Sequence, residues 1–162
     1  MGQDDVIQNR NVLKRLDAVD PATVLLFDRV RIACPARCRV GRHVAIHEAD
    51  WNAEGGITIG NYVHFGPRVT ILTRSHNYEG DQIPYDSTIV HKPVIIEDFV
   101  WVGSDVVIAP GTHIEEGCVI AMGATVSGRI PKGSVVGVAK WRVLKMRDME
   151  KYEALKAAGK FN

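Results

Sequence analysis

The chain has 162 residues, of which 46% are hydrophobic, and this is enough for one domain with a continuous core. Its 20 basic and 19 acidic residues leave a net charge of +1, so there is no electrostatic basis for binding nucleic acid or an anionic membrane surface. The first residues are acidic and no apolar run suits export or membrane insertion, so we expect a cytoplasmic protein.

Residues 5–18 are predicted to form a short helix that ends before Pro21. The segment is polar, with apolar residues at Val6, Val12, Leu13 and Leu16. Residues 1–33 as a whole are expected to form a helical or extended N-terminal cap.

A six-residue repeat dominates the middle of the chain. An aliphatic residue marks each repeat at Ile96, Val102, Ile108, Ile114, Ile120 and Val126. A second apolar or small residue follows four positions later at Val100, Val106, Thr112, Cys118 and Ala124. Neither a helix nor a lone strand keeps this phase, whereas a hexapeptide β-helix does.

The same phase continues upstream. It passes through Ile59, Phe65 and Ile71 and, more loosely, through Cys34, Val40 and Ile46. We therefore predict a β-helix over residues 34–131, whose units are stable only when stacked. Cys34, Cys38 and Cys118 fall on inward phases, so we expect buried small side chains rather than metal ligands or redox groups.

An irregular segment, residues 73–93, interrupts the repeat. Such a long break inside a regular solenoid is usually functional. Its side chains suited to chemistry are His76, Asn77, Tyr78, Glu79, Asp81, Tyr85 and Asp86. Residues 132–162 form the tail, in which 143–158 are predicted to be an amphipathic helix that caps the last coil.

Three segments carry a resemblance to a known family. They are IGNYVHFGPRVTI at 59–71, SHNY at 75–78 and PVIIEDFVWVGS at 93–104. Together they resemble the left-handed β-helix, or hexapeptide-repeat, acetyltransferases, in particular the maltose and galactoside O-acetyltransferases and the enzymes that acetylate bacterial polysaccharides. The resemblance covers roughly residues 55–145. It implies an all-β, left-handed parallel β-helix with an inserted loop and a C-terminal helix, assembled as a homotrimer that binds acetyl-CoA between neighbouring chains.

The resemblance also implies roles for individual residues. The histidine at the position of His76 is the general base in this family, and imidazole titrates in the right range to deprotonate an acceptor. Trp101 is implied to lie beside the active site across the groove between chains. Candidate acceptor contacts are Asp50, Glu54, Asn77 and Tyr78, although the two acids also suit simple turn positions.

For the cofactor, the resemblance places Ser104, Met122, Gly123 and Ser127 along the pantetheine arm. Arg142 and Lys145 align with residues near the nucleotide phosphates, or they are ordinary solvated helix charges. The segment from Gly137 to Arg142 lacks the second glycine and the proline of the usual family tail.

Two other functions are compatible with this fold. A metal enzyme similar to the γ-class carbonic anhydrases would need paired hexapeptide histidines, which the sequence does not provide, so no metal site is expected. A non-catalytic trimeric scaffold would have no need of His76 or Trp101.

The sequence leaves the substrates open. The acceptor group is a hydroxyl or an amine of a sugar or nucleotide-linked sugar, and the acyl group could differ from acetyl.

Overall fold

The computed structural model describes residues 3–138 and 148–160. The chain coils from residue 17 to residue 136 through three parallel sheets, named A, B and C. Sheet A comprises β1 (Asp17–Ala18), β4 (Cys38–Val40), β7 (Ile57–Ile59), β12 (Val94–Ile96), β15 (His113–Ile114) and β18 (Arg129–Ile130). Sheet B comprises β2 (Val24–Leu26), β5 (Val44–Ile46), β8 (His64–Phe65), β13 (Trp101–Val102), β16 (Val119–Ile120) and β19 (Val135–Val136). Sheet C comprises β3 (Val30–Ala33), β6 (Ala49–Asn52), β9 (Val69–Ile71), β14 (Val107–Ile108) and β17 (Thr125–Val126).

The chain visits sheets A, B and C in turn, so each coil is a triangle with one strand on each side. The marker residues of the repeat point inward: Val102, Ile108, Ile114 and Ile120 have no solvent exposure. The second positions, from Val100 to Ala124, are buried as well. The predicted left-handed β-helix with an inserted loop and a C-terminal helix is confirmed.

The first coil begins earlier than the repeat indicates. β1, β2 and β3 pair in register with β4, β5 and β6, within the segment that the sequence analysis assigned to the cap. Short 3-10 turns at Pro21–Thr23 and Pro35–Arg37 lengthen the corners and hide the six-residue spacing.

One of the three cysteines departs from the predicted inward phase. Cys34 is exposed and has a positive φ of 56° at the start of a 3-10 turn, where Pro35 is buried instead. The prediction of burial was therefore wrong for Cys34 because the turn shifts the phase by one residue. Cys38 and Cys118 are buried as predicted, and burial raises the pKa of the Cys38 thiol to about 12.

Helices flank the coils. α1 (Gln3–Leu13) packs on the first coil, where the Asn9 amide donates to the carbonyl of Asp28 at 2.7 Å and accepts from the N–H of Val30 at 3.1 Å. α2 (Met149–Ala157) begins at the capping residue Asp148, whose carboxylate accepts from the N–H of Lys151. Residues 143–147 of the predicted C-terminal helix lie outside the described residues. Within the described ranges, neither helix is long and apolar enough to cross a membrane.

Candidate active site

The inserted segment forms a hairpin at the C/A corner, where the chain passes from sheet C to sheet A. Its strands, β10 (Arg74–His76) and β11 (Ile89–His91), pair antiparallel, with Arg74 opposite His91 and His76 opposite Ile89. His76 ends β10 and is exposed. The hairpin therefore carries the candidate base outward from the coils.

Asn77 and Asp86 hold the loop beyond the hairpin strands. The Asn77 amide donates to Thr88 Oγ1 at 3.1 Å and accepts from the N–H of Glu79 at 3.1 Å. The Asp86 carboxylate accepts from the N–H groups of Thr88 at 2.9 Å and Asp81 at 3.2 Å. Hydrogen bonds from Thr88, first from its side chain, lower the pKa of Asp86. Both ends of the Asn77 amide, a predicted acceptor contact, are thus used within the loop.

The ring of His76 stacks on the ring of Tyr85. Their centroids are 4.0 Å apart and their planes differ by 21°. From the sequence, Tyr85 is one of several loop residues suited to chemistry and has no predicted role of its own. No periodic signal marks this contact, because it joins the strand to an irregular part of the same insertion.

Tyr78 lies on another part of the loop, in a cleft shared with α2. The cleft is lined by Tyr78, Gly80, Lys151, Tyr152 and Leu155. Lys151 Nζ donates to the carbonyl of Glu79 at 2.5 Å, and the N–H of Ile83 donates to the carbonyl of Lys160 at 2.7 Å. α2 therefore covers the inserted segment, whereas the sequence analysis placed it over the last coil.

Glu54 anchors the root of the hairpin. Its carboxylate accepts from Arg74 at 2.9 Å and from Asn52 at 3.2 Å, and it lies 3.6 Å from His91 Nε2. The hydrogen bond from Asn52 is the largest cause of the lowered pKa of Glu54, and the charge of Arg74 adds to it. The buried Thr73 hydroxyl donates to the carbonyl of Asn52 at 2.7 Å on the same corner. Glu54 is thus placed as a structural link between the coils and the hairpin.

Asp50 does not join this group. It is exposed on the outer face of sheet C, with Arg31 and Thr70 beside it on the neighbouring strands. Its carboxylate lies 3.6 Å from Arg31 Nη1.

A second cleft lies on the outer surface of sheet B. Trp101 is 59% exposed there, between His64 and Val119 on the adjacent strands. The cleft has a volume of about 480 Å³, and its lining includes Gly66, Trp101, Gly103, Ser104, Val119 and Met122. Gly103 must be glycine, because a Cβ at this position would lie 2.7 Å from the backbone nitrogen of Met122.

The predicted cofactor residues divide between two corners. Ser104, Met122 and Gly123 lie together at the B/C corner, where Gly123 has φ of +71° and its N–H donates to the carbonyl of Ser104 at 2.9 Å. Ser127 lies at the C/A corner, between β17 and β18. Arg142 and Lys145 lie outside the described residues.

The two halves of the predicted site are on opposite sides of the solenoid. The hairpin with His76 leaves from the C/A corner, and this corner is the one opposite sheet B in the triangular coil. Trp101 and its cleft lie on sheet B. The coils therefore stand between His76 and the Trp101 cleft of the same chain.

Sheet B and its border with sheet A carry aromatic residues to which the sequence analysis gave no common role. At the A/B corner His43, Tyr62 and Phe99 form a column, with ring centroids 4.6 and 5.4 Å apart. All three have a positive φ between 55° and 59°. The signal was present in the sequence, since each is the third residue after a marker of the repeat.

Residues 93–128 match the model of the bacterial transferase hexapeptide, which contains six repeats. This segment is therefore similar to bacterial transferase hexapeptide repeats. These hexapeptide repeats lie in the coils that follow the hairpin, and they include Trp101, Ser104, Met122 and Gly123.

The hexapeptide-repeat acetyltransferases are also the proteins that this chain resembles. It is 39% identical over 79 residues to a galactoside O-acetyltransferase of Lactococcus lactis subsp. lactis (strain IL1403), which is 49% of this chain but only 38% of that protein. An acetyltransferase of Vibrio cholerae O1 biovar eltor, complexed with acetyl coenzyme A, superposes with a TM-score of 0.74 and 26% identity over 90% of this chain and 79% of that one. A maltose O-acetyltransferase of Clostridium difficile 630 superposes with a TM-score of 0.70 and 25% identity over 85% and 74% of the two chains.

Proposed function

We propose that this protein is an acetyl-CoA-dependent acetyltransferase that modifies a hydroxyl or an amine of a sugar or nucleotide-linked sugar, including those of bacterial polysaccharides. The observation that carries the proposal is an exposed histidine on the only long insertion among the described coils, in a chain whose sheet B bears a separate cleft around Trp101. The similarity to O-acetyltransferases and to a structure that contains acetyl coenzyme A supports the same conclusion.

The Trp101 cleft fits the pantetheine arm of acetyl-CoA. Its lining includes Gly66, Gly103 and Ala121, whose small or absent side chains let a thin chain approach the backbone closely. Trp101 and Met122 supply apolar contact, and the hydroxyl of the half-buried Ser104 is available for an amide of the arm. We place the nucleotide end near Arg142 and Lys145, as the resemblance implies.

His76 would act as the general base. The neutral imidazole accepts the proton of the acceptor hydroxyl as the oxygen attacks the thioester carbonyl. An ammonium acceptor first loses one proton to water, and the imidazole then takes a proton from the neutral amine as its nitrogen attacks. The new carbon–oxygen or carbon–nitrogen bond replaces the carbon–sulfur bond, and the imidazolium returns its proton to the departing thiolate. Of the acceptor candidates, Tyr78 has an exposed side chain on the His76 loop. The Asn77 amide and the Glu54 carboxylate are hydrogen-bonded within the chain.

The site would be shared between chains of a homotrimer. Because the coils separate His76 from the Trp101 cleft within one chain, the thioester held by one chain needs the hairpin of its neighbour. The same arrangement would cover Trp101, whose exposed indole is otherwise costly to leave in water.

An acetyl-CoA consumption assay tests the proposal. Purified protein is incubated with acetyl-CoA and, separately, with free sugars, nucleotide-linked sugars and amino sugars, and free thiol is measured with the product mass. We expect thiol release that depends on one acceptor class, with a mass gain of one acetyl group. Release that is independent of every acceptor, and equal in the His76→Ala variant, would overturn the proposed function. Propionyl-CoA and succinyl-CoA as donors test whether the acyl group is acetyl.

A further inference from the structure

We infer that Tyr85 is a positioning residue for His76, and this inference rests on the proposed function of His76 as the base. The two rings stack at a centroid distance of 4.0 Å and an interplanar angle of 21°. His76 is exposed at the end of β10, while Tyr85 is half-buried in the loop. Tyr85 is therefore the more buried of the two residues.

The backbone of the loop brings the two rings together. The residue after His76 and the residue after Tyr85 are joined directly, because the N–H of Asp86 donates to the carbonyl of Asn77 at 3.3 Å. The Asp86 carboxylate then fixes the turn through the N–H groups of Thr88 and Asp81. Gly80 lets this carboxylate approach, since a Cβ there would lie 1.9 Å from Asp86 Oδ2.

The stack restricts what the imidazole of His76 can do. An exposed histidine at a strand end samples several rotamers, and only some of them direct a ring nitrogen at an acceptor. A tyrosine ring against one face leaves the edge of the imidazole, which carries both nitrogens, free for the acceptor. The same ring face favours the imidazolium that forms when the base takes up a proton. Tyr85 would therefore act through His76 rather than on the substrate.

Kinetics of two substitutions at Tyr85 test the inference. In the active trimer, Tyr85→Leu should lower kcat roughly 5- to 10-fold with little change in the KM for acetyl-CoA, because orientation of the base is lost while binding of the donor is kept. Tyr85→Phe keeps the stacked ring and should retain at least about half of the wild-type kcat. The matched control is Tyr62→Leu, which removes a stacked tyrosine at the A/B corner and should leave kcat unchanged.

The outcomes are distinguishable. A wild-type kcat in Tyr85→Leu overturns the inference, and so does an equal loss in Tyr85→Phe, which would point to the hydroxyl instead of the ring. Full activity in His76→Ala removes the base and so overturns the proposed mechanism together with the role of Tyr85. If Tyr85→Leu has the wild-type kcat while His76→Ala is inactive, the proposed function stands and the inference about Tyr85 is wrong.

A spectroscopic measurement tests the stack without relying on activity. The imidazole proton resonances of His76, identified by their loss in His76→Ala, should lie upfield in the wild-type protein because of the ring current of Tyr85. They should move downfield in Tyr85→Leu and stay near the wild-type position in Tyr85→Phe. Identical His76 shifts in wild type and Tyr85→Leu would show that the rings do not stack in solution and would overturn the inference.

Discussion

The regular coils and the inserted hairpin place their side chains by different means. In the coils, the phase of the repeat decides which residue is buried, so Val102, Ile108 and Ile114 point inward and Trp101 points outward. The hairpin has no six-residue repeat, and side-chain hydrogen bonds of Asn77, Asp86 and Glu54 hold its residues in place. Stability therefore resides mainly in the repeat, whereas the proposed chemistry depends on the part of the chain that lacks it.

The largest effect on stability should come from a cavity in the coils. Ile108 has no solvent exposure, and Ile108→Ala should lower the free energy of unfolding by about 2–5 kcal/mol, because it removes buried contacts and leaves a void between stacked coils. Chemical denaturation followed by circular dichroism measures this change. The exposed neighbouring position serves as the control, since Thr125→Ala on the outer face of sheet C should change the stability far less. An equal loss of unfolding free energy in the two variants would contradict the view that the position within the repeat decides which residues form the core.

The opposite pattern is expected at His76. His76→Ala should lower kcat by at least ~10²-fold, as for loss of a general base, while the unfolding midpoint stays close to wild type because the side chain is exposed. Steady-state kinetics and thermal unfolding on the same preparation check both halves of this prediction. Turnover at the wild-type level would exclude His76 from the mechanism.

The buried residues of the coils and the place of His76 could both be predicted from the sequence. The six-residue period fixed which residues of the coils are buried, because each marker meets the marker of the next coil. The 3-10 turns at residues 21–23 and 35–37 change the six-residue spacing. For this reason the period gave a wrong prediction of burial for Cys34 and did not reveal the first coil. His76 could be singled out by its place in the insertion. The contacts of Glu54 with Arg74 and of His76 with Tyr85 could not, because they depend on how an aperiodic loop folds back.

Mixed assemblies should test whether hairpin and coils of different chains cooperate. Chains with His76→Ala and chains with Trp101→Ala should each be inactive or weakly active. Refolded together, they should recover partial activity, because some interfaces then combine an intact hairpin with an intact Trp101 cleft. Light scattering should give the mass of three chains. A fully active monomer, or mixtures no more active than their parents although mixed trimers form, would argue against a shared site.

A smaller, pH-dependent effect is expected at the root of the hairpin. The pKa of Glu54 is lowered in the folded chain, chiefly by the hydrogen bond from Asn52 and then by Arg74. Its ionised form therefore stabilises the hairpin above the ordinary pKa of a glutamate, and this stabilisation is lost as the pH falls through the lowered folded-state pKa. Glu54→Gln should weaken hydrogen-exchange protection of the β10 and β11 amides at neutral pH, and the difference from wild type should shrink in acid.

Asp50→Asn is the matched control for Glu54→Gln. It changes one carboxylate on sheet C that lies beside Arg31, and it should leave the protection of β10 and β11 unchanged. Equal effects of the two variants would show that protection of the hairpin follows overall charge rather than the bonds of Glu54.

The strands β7 and β12 pair in register although a long insertion lies between them in the chain. β12 lies in register on β7, with Val94 opposite Ile57 and Ile96 opposite Ile59, as if residues 72–93 were an ordinary corner. The solenoid thus keeps its alignment across the residues inserted between β9 and β12. A different loop inserted at this junction would need to satisfy the anchors at Asn52, Glu54 and Thr73 and the contacts with the α2 segment, with no redesign of the coils.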